Sequence, residues 1–392
     1  MEGLRGYGVL AILLAHVSTE FLGKNRGHLN LLGVNWIDWP TSYFRFWEEG
    51  NPVQFFDVFL VWTAKTHYCV DLFFVVSGFL IFRILCRDQR NFSYPKFMWN
   101  RITRVYPAFL FSLAFAIYVR TVFVGEIPFE WPAFLKNLVF LNDVRHPGWS
   151  WVPHWQKFPN YNPVAWTLFF EFIFYAFIPL TLFIPGLRIT KSRLTYLAFS
   201  LVLFAAFYLL HPGQYHIRWL FFLAGGFVGI HSTSQLNAFT QKVPDWVALA
   251  LYLASTLYYA FTPYDYRVFA PFYMITGTLF MVNVGYGGGF LSRMFSHPIL
   301  RYVGNCSYSL YLIHLMCIRA VWKIYRNIED WPNGISGPGF WPWLALLVGS
   351  LALGLTLATL LFVFVEKRYF AAKMRAKEIP PGAGGSTSGR PA

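Results

Sequence analysis

Charged residues are scarce in this sequence. Asp, Glu, Lys and Arg make up 13% of its 392 residues, whereas a typical soluble domain has about a quarter. Hydrophobic residues account for 56% and aromatic residues for 21%. Because so few charges cannot cover the surface of a soluble protein of this length, the composition excludes that class and predicts a membrane protein.

Cysteine is rare and the common catalytic motifs are absent. The sequence has no G-x-S-x-G elbow, P-loop, G-x-G-x-x-G fingerprint or H-E-x-x-H helix, and its histidines are scattered. No small-residue cleavage site follows the first apolar segment, so we expect this segment to remain as a helix. Four cysteines lack paired or metal-ligand spacing: Cys69, Cys86, Cys306 and Cys317. We therefore expect no disulfide framework, metal or bound cofactor.

Apolar segments of membrane-spanning length recur along the chain and predict an all-α, polytopic membrane helix bundle. Residues 1–370 would form this transmembrane domain, and residues 371–392 a disordered cytoplasmic tail rich in Pro, Gly and Ser. The shorter segments 53–62 and 129–142 are predicted to be interfacial helices in outer loops. We predict about ten transmembrane helices, near residues 4–22, 67–86, 103–123, 163–185, 194–211, 216–231, 246–262, 268–284, 304–322 and 341–365.

The formal net charge is +14, and the charged residues are distributed as the predicted topology requires. When both termini are placed in the cytoplasm, nineteen of the 32 Lys and Arg but only five of the 18 acids lie on the inner side. This positive-inside bias accounts for the basic balance, so no nucleic-acid partner is expected. Tryptophans concentrate in the outer loops, where they fit either an interfacial belt or a stacking surface for a sugar.

The first apolar segment contains two ionisable side chains, Arg5 and His16. In a helix they would lie on one stripe about 16 Å apart. Such groups are costly in lipid, so the stripe is expected to face a polar cavity inside the bundle. The alternative is that Arg5 anchors the helix at the interface and His16 is a hydrogen-bonded core residue.

Two further segments carry polar side chains close to apolar runs. Asp71 interrupts the second span and needs a partner, for which His16 or a tyrosine is the natural candidate. Ser77 follows on the same helix, where a small residue admits either a neighbouring helix or a thin ligand. Arg101 and Arg104 share a face at a helix start, which suits phosphate binding as well as simple positive-inside anchoring.

The fourth and ninth spans bring in the remaining candidate groups. Glu171 is an intramembrane carboxylate, with Tyr175 one turn later on the same face. The carboxylate would either orient an imidazole or act as an acid or base. His314 lies in the ninth apolar span among small polar residues.

Five motifs follow one another along the chain: Gly3-Leu4-Arg5-Gly6, Phe73-Phe74-Val75-Val76-Ser77-Gly78-Phe79-Leu80, Arg101-Ile102-Thr103-Arg104-Val105-Tyr106-Pro107, Trp166-Thr167-Leu168 with Glu171 and Tyr175, and Ser307-Tyr308-Ser309-Leu310-Tyr311-Leu312-Ile313-His314. In this order they resemble the acyltransferase 3 family of integral-membrane O-acyltransferases, which includes bacterial surface-polysaccharide and O-antigen acetyltransferases. The family's fourth-span motif more often reads Trp-Ser-Leu followed by Ser or Ala, so Thr167 suggests a different acceptor pocket. No esterase-like domain follows the last helix, so the stand-alone form is expected.

The resemblance implies a cytoplasmic acyl-CoA donor, usually acetyl-CoA, and an acceptor hydroxyl on a glycan or lipid-linked sugar. It also implies a multi-pass protein of the bacterial inner membrane. The family's arginine, ten residues and histidine pattern falls on Arg5 and His16. Its paired arginines fall on Arg101 and Arg104.

On this hypothesis the site residues divide into three roles. The catalytic group is His16 as general base with Glu171 or Asp71; the acyl-CoA contacts are Arg5, Arg101, Arg104 and Ser77; and the supporting residues are Tyr175, Trp166 and His314. The alternative is a transporter or flippase that uses the intramembrane ionisable groups as a relay. The lack of internal repeats disfavours this alternative.

Overall fold

The computed structural model describes residues 1–24, 55–88, 92–140, 159–184, 192–210, 217–261, 266–326 and 340–367. These residues form helices joined by short turns and contain no β-strand. The all-α prediction is therefore confirmed. The predicted tail at 371–392 and the tryptophan-rich parts of the outer loops lie outside the described residues.

The described residues of the first half of the chain form seven α-helices with short 3-10 or π-helical extensions. They are α1 (Glu2–Lys24), α2 (Phe55–Ala64) followed by a 3-10 turn (Lys65–Tyr68), α3 (Cys69–Asp88), α4 (Tyr94–Ile117) with a π-helical end (Tyr118–Phe123), α5 (Trp131–Leu138), α6 (Trp166–Phe177) between 3-10 turns (Pro163–Ala165 and Ile178–Phe183), and α7 (Arg193–Leu210).

Eight more α-helices lie in the part of the second half that the structure describes. They are α8 (Arg218–Gly229), α9 (Thr233–Lys242), α10 (Asp245–Phe261), α11 (Tyr266–Tyr286), α12 (Phe290–Phe295), α13 (Pro298–Asn305), α14 (Ser307–Arg326) and α15 (Phe340–Leu361) with a π-helical end (Phe362–Glu366).

Four helical segments in the described ranges are long and apolar enough to cross a membrane: Trp62–Arg87, Tyr94–Phe123, Pro163–Phe183 and Phe340–Glu366. Each of the ten segments predicted as spans contains helix where the structure describes it, and a turn at Cys306 interrupts the segment at 304–322. Helices α2 and α5 occupy most of the segments predicted to be interfacial. Helix α4 begins nine residues before its predicted span, because Pro95 starts it in a polar stretch that hydropathy does not detect.

Helices α3 and α8 pack backbone against backbone. A Cβ atom on Gly78 would lie 2.0 Å from the carbonyl oxygen of Phe222, and one on Gly225 would lie 1.8 Å from that of Val75. Only glycine permits this approach. The Gly78 surface is therefore used for helix packing, and it fixes the position of Ser77 one residue earlier.

Helices α1, α4 and α14 run in the same direction and organise the bundle around the site. Helix α1 packs on α13 and α14, and α14 also packs on α4 and α15. Residues near the starts of these three helices line one cavity. Side chains near their other ends form ion pairs with one another or with the residues that follow.

Two of the long helices end in a π-helical segment. In α4 this segment contains Arg120, and in α15 it ends at Glu366. A π-helical turn holds one residue more than an α-helical turn, so each segment changes the direction in which the following side chains point.

Candidate active site

A cavity of about 110 Å³ lies among α1, α3, α4, α6 and α14. It collects six of the predicted site residues: Arg5, Ser77, Arg101, Arg104, Glu171 and Tyr175. Segments far apart in the sequence thus supply one polar pocket inside an apolar bundle. The remaining four predicted residues, His16, Asp71, Trp166 and His314, lie outside its described lining.

Three arginines give the cavity its positive charge. Arg101 is buried, and its guanidinium lies 5.1 Å from the ring centroid of Phe97 and 5.0 Å from that of Tyr175. These rings orient a cation whose N–H groups remain available to a ligand. Arg104 follows one turn later, and its charge acts on Arg5 across the cavity. Three guanidiniums around one pocket favour phosphate or another anion.

Two carboxylates accompany the arginines. Glu171 accepts a hydrogen bond from the Tyr175 hydroxyl and lies 3.4 Å from the donating hydroxyl of Ser77. The second is Glu366 at the π-helical end of α15, which is buried and accepts a hydrogen bond from Ser309. The charge of Glu366 acts on Arg5. The sequence did not identify Glu366 as a site residue, because a charged residue directly after the last apolar segment is typical of the cytoplasmic interface.

His16 faces His314 inside the bundle rather than lipid. Their ring centroids are 4.9 Å apart, and His314 Nε2 lies 3.1 Å from His16 Nδ1. His16 Nδ1 is also 2.9 Å from the Ile12 carbonyl oxygen, and His314 Nδ1 is 2.6 Å from that of Tyr311. The pair lies about three helical turns from Arg5 along α1.

The carbonyl contacts determine the tautomers of the two neutral rings. A carbonyl oxygen only accepts, so each Nδ1 carries the hydrogen. His314 Nε2 then has a lone pair and accepts from His16 Nδ1–H, which is shared with the Ile12 carbonyl. His16 Nε2 is left unprotonated, in the state that a general base requires.

Tyr311 connects the cavity with the histidine pair. Its side chain lines the cavity, and its ring centroid lies 5.7 Å from that of His314. The Tyr311 hydroxyl donates to the Val164 carbonyl at 3.0 Å and accepts from Thr167 at 3.1 Å. The Thr167 hydroxyl, where the family pattern more often has serine, therefore helps to hold this ring in place.

Asp71 is paired with a residue that the sequence did not suggest. Its carboxylate lies 3.8 Å from the Arg218 guanidinium at the start of α8, and its side chain is only 2% exposed. Arg218 in turn lies 4.2 Å from the ring centroid of Trp166. His16 or a tyrosine was the expected partner of Asp71, whereas the structure pairs it with Arg218, which also contacts Trp166.

Two curated proteins are similar to this chain in sequence. The chain is 26% identical over 340 residues to the peptidoglycan O-acetyltransferase OatA of Listeria monocytogenes, an alignment covering 78% of this chain and 51% of that protein. It is 29% identical over 147 residues to an uncharacterized protein of Haemophilus influenzae, covering 34% of this chain and 56% of the other. The chain therefore spans about half the length of these relatives.

No solved structure matches the chain. A family model described as an acyltransferase domain matches residues 1–363. Together with the four apolar helices, this match supports an integral-membrane acyltransferase and confirms the resemblance drawn from the five motifs. The chain belongs to the acyltransferase 3 family.

Proposed function

We propose that the protein transfers an acyl group, in the simplest case acetyl, from cytoplasmic acyl-CoA to a hydroxyl of an extracytoplasmic or lipid-linked glycan. One observation carries this proposal. The cavity gathers Arg5, Arg101 and Arg104 at one end of the bundle, and the His16–His314 pair lies further along the same helices.

The arginine-lined cavity is suited to the phosphates of the donor. Arg101 and Arg104 present guanidinium groups from consecutive turns of α4, and Arg5 faces them from α1. Eleven residues of helix separate Arg5 from His16, or about 16 Å. The pantetheine arm of CoA is a thin chain of similar reach, so its thioester would arrive beside the imidazole, with Ser77 along the path.

His16 serves as the general base in the proposed reaction. Its Nε2 takes the proton from the acceptor hydroxyl while the hydroxyl oxygen attacks the thioester carbonyl carbon. The new C–O bond forms, the C–S bond breaks, and CoA leaves as a thiolate that receives the proton from His16. His314 holds the His16 ring in the required tautomer, which makes it a positioning residue.

The remaining predicted residues have supporting roles in this proposal. Glu171 balances the charge of the arginines and holds Ser77 and Tyr175 by hydrogen bonds. Asp71 neutralises Arg218, which lies against Trp166. Asp71 therefore acts here through its partner rather than on the imidazole.

The topology and acceptor belong to the same proposal. About ten spans, with both termini in the cytoplasm, would place the arginines at the inner face of a bacterial inner membrane, in keeping with the positive-inside bias. The name of the Listeria relative supports a cell-envelope glycan such as peptidoglycan as the acceptor.

The test uses the full chain purified in detergent with radiolabelled acetyl-CoA. Release of the CoA thiol and transfer of label to glycan fragments are measured for the wild type and for His16→Ala. Loss of a general base should lower the rate by about 10²–10⁴-fold. The matched control is His231→Ala. In the wild type, His231 lies between α8 and α9 and outside the described lining of the cavity.

His231 is a suitable control because its imidazole Nδ1 lies 2.7 Å from the Phe227 carbonyl oxygen, so the substitution removes a histidine ring away from the proposed site. We expect His231→Ala to retain the wild-type rate. A His16→Ala protein that is stably folded and still transfers acetyl at a near-normal rate would disprove the proposal. A transporter would neither hydrolyse acetyl-CoA nor transfer its acetyl group.

A further inference from the structure

A second group of ionisable side chains lies at the opposite ends of α1, α4 and α14 from the cavity. We call it the distal ionic cluster, and it consists of Glu20, Arg120, Glu126 and Arg319. The Arg319 guanidinium contacts the Glu126 carboxylate and lies 3.8 Å from that of Glu20. Arg120 Nε lies 3.2 Å from the same Glu126 oxygen. These side chains are between 13% and 28% exposed, so a ligand can reach them.

The distal ionic cluster is much closer to the histidine pair than Arg5 of the cavity is. Glu20 follows His16 by four residues, which is one helical turn and about 6 Å. Arg5 precedes His16 by eleven residues, or about 16 Å. Two substrates that meet at His16 therefore have different distances to cover. A donor whose phosphates bind the cavity arginines needs a long thin arm to reach His16. An acceptor sugar bound at the cluster, in contrast, has its ring within about one helical turn of His16.

The chemistry of the cluster differs from that of the cavity. The cavity and its surroundings combine three arginines with Glu171 and Glu366, but the distal ionic cluster has equal numbers of arginines and glutamates. Such a surface has no net preference for anions, and it offers donors and acceptors to hydroxyl groups that both donate and accept.

Two N–H donors at this end of α14 have unused hydrogen-bonding capacity. Arg319 Nε is buried and makes no hydrogen bond with the described part of the chain. The indole N–H of Trp322, three residues later, is also buried and without a partner among the described residues. Buried donors are nearly always satisfied in native proteins, so a bound ligand is a natural partner for them.

We propose that the distal ionic cluster binds the acceptor, an uncharged and hydroxyl-rich sugar, with Arg319 as the central contact. This inference rests on the proposed function and adds to it the site of the second substrate. The sugar hydroxyl that becomes acylated lies one helical turn below, at His16 Nε2.

The experiment separates sugar binding from donor chemistry. Binding of two neutral oligosaccharides, chitopentaose and maltopentaose, to the full chain in detergent is measured by calorimetry without any donor. Acetyl-CoA hydrolysis is measured separately without sugar. The variants are Arg319→Gln and Glu20→Gln, and the control is Lys323→Gln, which removes a cation one turn further along α14.

Arg319→Gln should weaken binding of the preferred sugar by about tenfold or more, because it loses charge-assisted hydrogen bonds. Glu20→Gln should weaken sugar binding in the same direction. Both variants should hydrolyse acetyl-CoA within about twofold of the wild-type rate, because neither residue contacts the donor. Lys323→Gln should match the wild type in both assays. Thermal unfolding verifies that each variant is folded.

The inference is overturned if neither sugar binds the wild type, or if Arg319→Gln and Glu20→Gln bind sugar as tightly as Lys323→Gln does. Equal loss of sugar binding and hydrolysis in both variants would also overturn it, because that pattern indicates a purely structural cluster. If sugar binding depends on Arg319 but the wild type does not hydrolyse acetyl-CoA, the proposed donor chemistry fails while the sugar site stands.

Discussion

The contact between His16 and His314 can be tested by a substitution that leaves the packing nearly unchanged. His314 is fully buried, and phenylalanine has a similar size and shape, so His314→Phe fills the same space. The variant loses the Nε2 acceptor that lies 3.1 Å from His16 Nδ1. It retains the Ile12 carbonyl at 2.9 Å, which still favours the same His16 tautomer.

The expected loss is therefore one orienting hydrogen bond rather than the base itself. Because His16 Nδ1–H keeps one acceptor, the lost hydrogen bond is worth about 0.5–1.5 kcal/mol, which corresponds to roughly two- to 13-fold in rate. We expect kcat for acetyl transfer to fall by this factor, less than for His16→Ala. The KM for acetyl-CoA should not change, because His314 lies outside the described lining of the cavity.

Initial rates over a range of acetyl-CoA concentrations separate these two effects, and His231→Phe provides a matched histidine control. An unchanged kcat in a folded His314→Phe protein would show that the pair does not orient the base. A raised KM with an unchanged kcat would place His314 in contact with the donor instead, contrary to the geometry.

Three other substitutions test the supporting structure. Asp71→Asn leaves Arg218 without its buried carboxylate and should lower the free energy of unfolding by about 3 kcal/mol. The double variant Asp71→Asn with Arg218→Gln should regain stability and activity. A double variant that is stable but inactive would instead indicate a catalytic role for Asp71. Gly225→Val should prevent folding, because its Cβ would lie 1.8 Å from a carbonyl oxygen of α3. The control Gly277→Ala should unfold at the wild-type temperature, because its Cβ would have no neighbour nearer than 3.8 Å. Glu366→Gln removes a negative charge beside the cavity arginines and should lower the KM for acetyl-CoA by about fivefold; an increased KM would contradict this electrostatic role.

Much of the cavity could be predicted because ionisable groups are rare in apolar helices. Arg5, Glu171 and the Arg101–Arg104 pair stand out for this reason, and the structure places them around one pocket. The partner of Asp71 could not be predicted in this way. Arg218 lies at the start of a short span, where an arginine also serves as an ordinary interfacial anchor.

The helices between the spans were harder to predict than the spans themselves. Helix α9 begins at a Ser232 capping box, and α12 and α13 are only six and eight residues long. These segments contain no apolar run of spanning length, so hydropathy does not detect them. Packing against α1 stabilises α13 as a helix, and this tertiary contact is not visible in the sequence.

The π-helical ends of α4 and α15 make both ends of the bundle sensitive to chain length. Each segment turns one charged side chain inward, Arg120 toward the distal ionic cluster and Glu366 toward Ser309. Deleting one residue from either segment would restore regular α-helix and rotate the charge by about 100°. A single-residue insertion or deletion at either helix end would therefore move a charge away from its partner even though every charged residue is kept.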